Sequence, residues 1–308
     1  MTGPAVRTVG LTHRFGGVTA LDRVDLEVAA GEVHGFLGRN GAGKTTLIRA
    51  LLGLITPTSG TVEVLGTPVR GGRTSPALWA GVGYLVEGPG LYPSLTVLEH
   101  LQVAARYRGL AAAAVKDVVE QLDLGPYAGV RAATLSLGNR QRLGLALALV
   151  HRPELVILDE PVNGLDPAGV VDVRNLLRGL TGEGVTVFMS THLITEVARL
   201  ADRVVVIHDG RLVEELSGER LRSCGDERLV STFRSAELAR RGAAALSALG
   251  LDARAEQATV VSTAADAVRR PDRVATLLVE AGTPPTSLAV EREDLEGYFL
   301  RLTETVPA

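Results

Sequence analysis

The sequence predicts an α/β fold organised around a parallel β-sheet, and three observations support this prediction. The segments 32–38, 155–161 and 185–192 are continuous apolar runs of strand length. Parallel strands that helices cover on both faces are apolar throughout, whereas half-exposed strands alternate. Segments of helical periodicity separate these runs, as is typical of α/β domains. A glycine-rich turn follows the first run, where a strand leads into a helix.

The remaining segments before residue 220 extend this fold. The predicted elements are short strands within 7–29, a helix at 46–54, a strand at 59–69, a helical insert at about 84–150 and a strand at 203–213. The predicted helix ends before Pro57, because proline disrupts the interior of a helix. The strands at the N-terminus are expected to form a β subdomain beside the parallel sheet.

The pattern changes after Arg220, which predicts one domain at 1–220 and a smaller accessory domain at 221–308. The predicted strands of the second domain are 228–233, 251–254, 258–263 and 287–291, and its predicted helices are 235–249, 268–282 and 293–303. The order βαββαβ followed by a helix indicates a small α+β module of the ferredoxin-like type.

Composition and charge exclude several classes of protein. The net charge of −3 and the pI of about 6.1 give no basic footprint for nucleic acid. The single cysteine, Cys224, excludes an intramolecular disulfide and fits a reducing compartment. No segment approaches the ~20 apolar residues of a membrane helix, and the N-terminus lacks an apolar signal core. We therefore expect a cytoplasmic chain, which would need a separate membrane protein to act across a membrane.

The stretch "GRNGAGKT" at 38–45 fits the phosphate-loop pattern G-x-x-x-x-G-K-[ST], between a predicted strand and a predicted helix. Its glycines let successive backbone N–H groups converge on phosphates at the positive end of the helix. Lys44 would contact the β- and γ-phosphates, and Thr45 offers a hydroxyl to Mg²⁺. The alternative interpretation is a glycine turn that carries a surface lysine.

A pair of carboxylates, Asp159 and Glu160, ends the apolar run "LVILDEP". Ligands bind at the carboxyl ends of strands in open α/β sheets, so Asp159 is a candidate for holding Mg²⁺. Glu160 is a candidate for polarising an attacking water. Two carboxylates at a strand end are common in themselves, and the phosphate loop upstream is what favours the functional interpretation.

With these motifs in place, the sequence resembles the ATP-binding cassette (ABC) family over residues 7 to about 215. "GRNGAGKTT" is similar to the Walker A loop of that family, "LVILDEP" to its Walker B strand and "LSLGNRQRL" to its signature motif. Asp166 in "NGLD" lies at the D-loop position, His192 in "STH" at the switch-histidine position, and Phe15 where an aromatic ring stacks on adenine. The resemblance implies ATP binding by Phe15, Gly38, Arg39, Asn40, Gly41, Ala42, Gly43, Lys44, Thr45 and Thr46.

The signature residues Ser136, Leu137, Gly138 and Asn139 begin a predicted helix whose remainder is apolar. A helix N-terminus with exposed amides binds anions, yet the phosphate loop already provides one such site. The resemblance resolves this redundancy, because it implies a head-to-tail dimer in which each signature helix caps the nucleotide of the other subunit. The alternative for Ser136 alone is an ordinary helix cap.

Three further residues keep alternative interpretations. The resemblance makes His192 a γ-phosphate contact, whereas a lone histidine after a strand is often only solvated or hydrogen-bonded. For Phe15 the two alternatives are stacking on adenine and packing as an exposed loop residue. Glu87 stands where the family usually has Gln; it is a further candidate for Mg²⁺, but would repel a γ-phosphate more than an amide does.

The resemblance implies an ATP-hydrolysing subunit that powers an exporter through separate transmembrane subunits, at the cytoplasmic face of the membrane. Glu87 and "GPGLYPSLTVLEHL" resemble antibiotic and lantibiotic exporters, and "EDLEGYFLRLT" at 293–303 resembles the tail of daunorubicin-type exporter ATPases. The alternative is a soluble cassette protein that acts on ribosomes or DNA, although such proteins usually carry two cassettes, a coiled coil or basic patches. A phosphate-loop GTPase would need an N-K-x-D motif, which the sequence lacks.

Overall fold

The computed structural model describes residues 3–71, 74–223, 227–292 and 295–304, and these residues form two units that divide between Arg222 and Ser223. Cys224, Glu293 and Asp294, which enter the predictions above, lie outside the described residues. In the described ranges, no helix is long and apolar enough to cross a membrane.

The first unit combines two sheets with a group of helices. In chain order its elements are β1 (Val6–Phe15), β2 (Val18–Val28), β3 (Val33–Leu37), α1 (Lys44–Leu51), β4 (Ser59–Val64), β5 (Thr67–Pro68), β6 (Val82–Leu85), α2 (Val97–Tyr107), α3 (Ala112–Gln121), α4 (Leu137–Leu149), β7 (Leu155–Asp159), α5 (Pro167–Gly182), β8 (Thr186–Thr191), α6 (Ile194–Leu200), β9 (Arg203–His208), β10 (Arg211–Ser217) and α7 (Gly218–Ser223). Short 3₁₀ turns lie at Leu78–Ala80, Gly125–Tyr127 and Ala132–Thr134.

The central sheet has the strand order β10-β9-β3-β8-β7-β6. The strands β9, β3, β8, β7 and β6 run parallel, and β10 pairs antiparallel at the edge. Every residue of β3, β7 and β8 is buried, and Phe36 packs on Phe188 with ring centroids 5.6 Å apart. The predicted parallel α/β sheet is thereby confirmed, and the carboxyl ends of β3, β7 and β8 meet at one edge.

A second, antiparallel sheet of order β2-β1-β4-β5 forms the β subdomain predicted at the N-terminus. Two segments predicted as single strands prove to be hairpins, so those predictions were wrong. Residues 59–69 turn at Leu65 and Gly66, and residues 203–213 turn at Asp209 and Gly210. All four turn residues have positive φ, as a two-residue type I′ turn requires. The Asp-Gly pair was a recognisable sign of the second hairpin.

The helices α2, α3 and α4 make up the predicted helical insert, although residues 84 and 85 at its expected start belong to strand β6. Thr96 and Glu99 form a capping box at the start of α2, in which each side chain accepts a backbone N–H of the other residue. The helix α4 packs beside β6, where the Nε2 of His151 contacts the carbonyl oxygen of Val82 at 3.1 Å.

The second unit contains β11 (Glu227–Thr232), α8 (Ala236–Ala248), β12 (Ala253–Glu256), β13 (Thr259–Ser262), α9 (Ala265–Arg269), α10 (Pro271–Glu280), β14 (Ser287–Arg292) and α11 (Leu295–Glu304). Its sheet order, β12-β13-β11-β14 with every neighbour antiparallel, agrees with the predicted ferredoxin-like arrangement. The helix predicted at 268–282 is in fact two helices, because Pro271 starts a new one and Arg270 leaves helical geometry at φ −128°. Leu229, Phe233 and Leu278 form the core of this unit.

Candidate functional site

The phosphate-loop residues, Asp159, Glu160 and His192 lie at the edge where β3, β7 and β8 end. Parallel pairing sets this arrangement, since β7 and β8 place Asp159 opposite Ser190. The N–H of Gly38 donates to the carbonyl oxygen of Thr191 at 3.2 Å, which ties the start of the loop to the end of β8. Segments that are far apart in sequence therefore converge on one site.

The phosphate loop depends on glycine at two positions for different reasons. Gly43 precedes α1 with φ of 108°, and a Cβ there would lie 2.6 Å from the carbonyl oxygen of Ala20. Gly38 has ordinary φ, but a Cβ there would lie 2.7 Å from Ile207 Cγ2. No side chain caps the N-terminus of α1, so its first amides are available to an anion. Arg39, Asn40 and Gly41 are exposed, Ala42 is buried, and Thr46 is half-buried within α1.

Lys44 is a buried cation that is surrounded by two backbone carbonyl oxygens and one carboxylate oxygen. Its Nζ lies 2.7 Å from the carbonyl oxygen of Gly38, 3.2 Å from that of Arg39 and 3.2 Å from Oε1 of Glu160. Only 6% of its side chain is exposed, and a buried ammonium without such partners would be strongly destabilising. The prediction that this lysine belongs to a loop site therefore has a geometric basis that a surface lysine would lack.

Asp159 is held in place by two hydroxyl groups. Thr45 Oγ1 donates to its Oδ2 at 2.8 Å, and Ser190 Oγ donates to its Oδ1 at 2.5 Å. The resulting set of oxygens, one carboxylate and the adjacent Thr45 hydroxyl, is of the kind that Mg²⁺ prefers. Ser190 is a site residue that the sequence does not predict, because its contact with Asp159 depends on the register between β7 and β8.

Glu160 lies between Lys44 and His192. Its Oε1 faces Lys44, and its Oε2 is 2.7 Å from His192 Nδ1. We infer from this contact that Nδ1 is a protonated ring nitrogen of His192 and that it donates a hydrogen bond to the carboxylate. Glu160 has a positive φ of 50°, and its N–H is held by both the backbone oxygen and the Oγ of Ser190. The carboxylate is one-fifth exposed and can therefore be reached by water.

The signature residues begin helix α4. Ser136 is the N-cap, and its Oγ accepts the N–H of Asn139 at 3.2 Å. Leu137 is half-exposed. At Gly138 an added Cβ would meet only Leu165 Cδ2, at an ordinary 3.6 Å, and φ is not in the left-handed region. The chain's own packing therefore gives no reason for glycine at this position.

Three candidate residues make their contacts away from the phosphate loop and Asp159. Glu87 pairs with Arg49, and no hydrogen bond or ion pair joins it to Thr45 or Asp159 within the described residues. Asp166 caps α5 by accepting the N–H of Gly169 at 2.9 Å. Phe15 is half-exposed and packs edge-to-face on His13, with ring centroids 4.5 Å apart.

A second contact that was not singled out joins the signature helix to the carboxylates. Gln141 is buried, and its Nε2 donates to the carbonyl oxygen of Pro161 at 2.9 Å. Pro161 directly follows Glu160, so α4 is bonded to the loop that carries this glutamate. The sequence places Gln141 in the polar cluster at the start of this helix, which does not indicate that its side chain is buried against Pro161.

A groove of about 750 Å³ lies between Arg49 of α1, the segment after β6 and the insert helices. We call it the insert groove; it is lined in part by Leu54, Tyr84, Tyr92, Val103 and Tyr107, whose side chains are each at least half exposed. The exposed fraction of Tyr107 reaches 92%. Contiguous exposed apolar surface of this kind marks interaction sites.

A neighbouring cavity of about 520 Å³ shares Leu54, Tyr84 and Tyr107 with the insert groove and reaches His151. Burial and, to a smaller extent, the nearby Arg108 guanidinium lower the pKa of His151 to about 4, against the opposing hydrogen bond to Val82. This imidazole is therefore neutral at pH 7, which leaves Arg108 as the cation among the residues that line this cavity.

Comparison with known proteins shows the family to which the chain is similar. A family described as "ABC transporter" matches residues 21–163. The chain is 42% identical to the bacitracin transport ATP-binding protein of Bacillus licheniformis over 70% of this chain and 71% of that protein. It is 34% identical to the daunorubicin resistance ATP-binding protein of Streptomyces coeruleorubidus over 98% of this chain and 97% of that protein.

A solved dimeric ATP-binding cassette, bound to ADP and Pi in a post-hydrolysis state, is also similar. It superposes with a TM-score of 0.62 and 26% identity, over 69% of this chain and 98% of that one.

Proposed function

This chain belongs to the ABC transporter family, and on that premise we propose that it powers an exporter by hydrolysing ATP for a separate membrane protein. It is an ATPase of the kind whose hydrolysis is coupled to transport. The convergence of Lys44, Asp159 and Glu160 at one sheet edge supports the assignment of the chemistry to these residues. The relatives named for bacitracin transport and daunorubicin resistance favour transport over action on ribosomes or DNA.

The nucleotide binds along the phosphate loop in this proposal. The amides of the loop and of the first turn of α1 contact the β- and γ-phosphates, because they have no side-chain cap and lie at the positive helix end. The exposed part of Phe15 offers a stacking surface for adenine, and the edge-to-face contact with His13 orients the ring. Gly38 and Gly43 keep the loop backbone close enough for these contacts.

Thr45 and Asp159 are the residues that we propose hold Mg²⁺. Within the described residues, no three His, Cys, Asp or Glu side chains form a cluster that could hold a metal, so the remaining ligands would be phosphate and water oxygens, as is usual for Mg²⁺. When bound, Mg²⁺ neutralises the charge of the phosphates. Ser190 fixes the carboxylate for this role through its hydrogen bond to Asp159. Glu87, which pairs with Arg49, would act on the metal only after that pair separates.

Binding of phosphate changes the partners of Lys44. The ammonium already contacts three oxygen atoms, so we expect a phosphate oxygen to replace one of them. The carbonyl oxygens of Gly38 and Arg39 belong to the backbone and accept hydrogen bonds from Nζ, whereas Glu160 Oε1 is held by an ion pair and belongs to a side chain that can rotate. Glu160 is therefore displaced from Lys44, remains bonded to His192, and becomes available to accept a proton from the attacking water.

Two subunits complete the nucleotide site in this proposal. Ser136 has one role in the isolated subunit and another in the dimer. Its oxygen accepts the Asn139 N–H as a helix cap, while its own O–H remains able to donate to a phosphate of the partner subunit. Asn139 and Leu137 lie in the same exposed first turn. The lack of a side chain at Gly138, for which the chain's own packing gives no reason, leaves room for the nucleotide of the partner subunit to approach the start of α4 closely. Asp166 would support this surface by fixing the start of α5.

The insert groove is the surface that we propose receives the membrane subunit, which places the chain at the cytoplasmic face of the membrane. The exposed aromatic side chains suit an apolar helix of the partner. The Arg49–Glu87 pair connects the groove to α1, the helix that follows the phosphate loop. A displacement of Glu87 would thereby couple nucleotide binding at the phosphate loop to the membrane subunit in the groove. A drug, antibiotic or lantibiotic is the proposed class of cargo.

Replacement of Lys44 by alanine tests the nucleotide site. MgATP at about 100 times its Kd should stabilise the wild-type fold by about 2.7 kcal/mol, which appears as a rise in Tm. Lys44→Ala should lose most of this rise because the phosphates lose their buried cation. Lys116, an exposed lysine in α3, provides the control: Lys116→Ala should keep the full rise. An equal rise in both variants would contradict the assignment.

Replacement of Gly138 by aspartate separates folding from dimer formation. A carboxylate in the first turn of α4 interacts favourably with the helix dipole, so stability should hold or rise by about 0.3–1 kcal/mol. The same carboxylate should repel the partner's phosphate. In a Glu160→Gln background, ATP should therefore dimerise the parent protein but not the Gly138→Asp variant, as measured by light scattering. Gly179, which lies in open space within α5, provides the control Gly179→Asp; dimerisation of all three proteins would refute the bridging role.

Replacement of Tyr107 by serine tests the insert groove. Pull-down of the wild-type chain from detergent-solubilised membranes of its source cells should recover an integral membrane protein, identified by mass spectrometry. Tyr107→Ser should reduce this recovery while the Tm rise with ATP is retained. Leu249→Ser removes another exposed apolar side chain, outside the groove, and should leave the recovery unchanged. Equal recovery with Tyr107→Ser and Leu249→Ser would exclude the groove as the docking surface.

A further inference from the structure

We propose that the second unit carries a binding site for a compact oxyanion of the phosphate class, in a cleft that three arginines line. We call it the arginine cleft. It has a volume of about 370 Å³ and is lined by Arg228, Asp252, Arg254, Glu256, Val261, Thr263 and Arg301. None of these residues belongs to the nucleotide site, and the proposal does not depend on the proposed transport function.

The sheet register brings these side chains together. Val261 of β13 pairs with Arg254 of β12 on one side and with Val230 of β11 on the other. Residues that pair across strands share a face of the sheet, and so do residues two apart in one strand. Arg228 and Arg254 therefore lie on the face that Val261 defines, while Leu229 lies on the opposite face, within the core.

Arg228 has a donor that the described protein does not use. Its Nε is buried and has no hydrogen-bond partner among the described residues. Its Nη2 lies 3.7 Å from Glu291 Oε2, beyond hydrogen-bond distance. Buried polar atoms are nearly always bonded, so an unused guanidinium donor beside a cleft indicates a missing acceptor.

The other two arginines reinforce the positive charge of the cleft. Arg254 makes no ion pair within 4.0 Å in the described part of the chain, although Asp252 and Glu256 flank it in the sequence. Arg301 lies over the ring of Tyr298, with Cζ 5.9 Å from the ring centroid, which favours a fixed orientation. The three arginines come from β11, β12 and α11, so they meet only in the folded unit.

The charges and size of the cleft select the class of ligand. Guanidinium groups match the geometry of phosphate through paired N–H donors, and Thr263 adds a hydroxyl. Asp252 and Glu256 reduce the net charge of the lining and would repel an extended polyanion such as nucleic acid. A single phosphate group fits these limits, either as free phosphate or as the headgroup of an anionic lipid.

Hydrogen exchange of the full-length chain tests the proposal, because peptides of the second unit report this cleft separately from the phosphate loop. The probes are potassium phosphate, potassium chloride at the same ionic strength and pH, and vesicles of phosphatidylglycerol or of phosphatidylcholine. In the presence of phosphate or of phosphatidylglycerol vesicles, we expect the amides of peptides at 251–264 and 295–304 to exchange at least about threefold more slowly. This factor corresponds to about 0.65 kcal/mol. Protection by phosphate identifies the free ion as a ligand, and protection by phosphatidylglycerol vesicles alone identifies the lipid headgroup.

Matched variants make the test specific. Arg254→Gln should abolish the protection, and Arg254→Lys should weaken it because a point charge lacks the paired donors. Arg273→Gln removes an exposed arginine of α10 that does not line the cleft and should keep the protection. The proposal is overturned if neither probe protects these peptides, if chloride protects them equally, or if Arg254→Gln behaves as Arg273→Gln does.

Discussion

The buried ammonium of Lys44 is the group on which the arrangement of the first unit's site depends. Burial of an unpaired charge costs several kcal/mol, and this cost is met by two backbone carbonyls and Glu160. The carbonyls require the loop to curl around the lysine, which Gly43 permits through its positive φ and Gly38 through its close packing against Ile207. Glu160 in turn requires that β7 end beside β8, the strand that separates it from β3, and the strand order provides this. The strand order, the phosphate loop and the Glu160 carboxylate thus together stabilise the charge of Lys44.

The same pairing links binding to chemistry. As long as Glu160 contacts Lys44, its Oε1 is engaged with a cation and is a poor base for water. In the proposed cycle, a phosphate group that takes its place supplies negative charge to the same ammonium and releases the carboxylate beside the substrate. The hydrogen bond from His192 to the other carboxylate oxygen would keep the released Glu160 at the site. Gln141 bonds the helix of the signature to the backbone next to Glu160, which would connect the proposed dimer surface to the proposed base.

Motifs with a fixed chemical requirement were accessible from the sequence, whereas contacts that depend on strand register were not. The phosphate loop, Asp159, Glu160 and the apolar strands follow from local patterns, and the parallel sheet they predict is present. Ser190 was not singled out, because its bond to Asp159 depends on which residues face each other across β7 and β8. The apolar character of 59–69 and 203–213 predicts single strands, but the turn residues at 65–66 and 209–210 divide each segment into a hairpin. The helical periodicity of 268–282 likewise predicts one helix, whereas Pro271 at the first position of α10 starts a second one.

The exchange of partners at Lys44 is tested most directly by measuring ATP affinity and turnover of Glu160→Gln in the full-length chain. A neutral amide competes less than a carboxylate for the ammonium and cannot accept the proton of water. The Kd for ATP should therefore fall below that of the wild type, while turnover should fall by about 10²–10⁴-fold, the usual contribution of a general base. An unchanged or higher Kd would contradict the competition between Glu160 and phosphate for Lys44, and near-normal turnover would assign the base to another group.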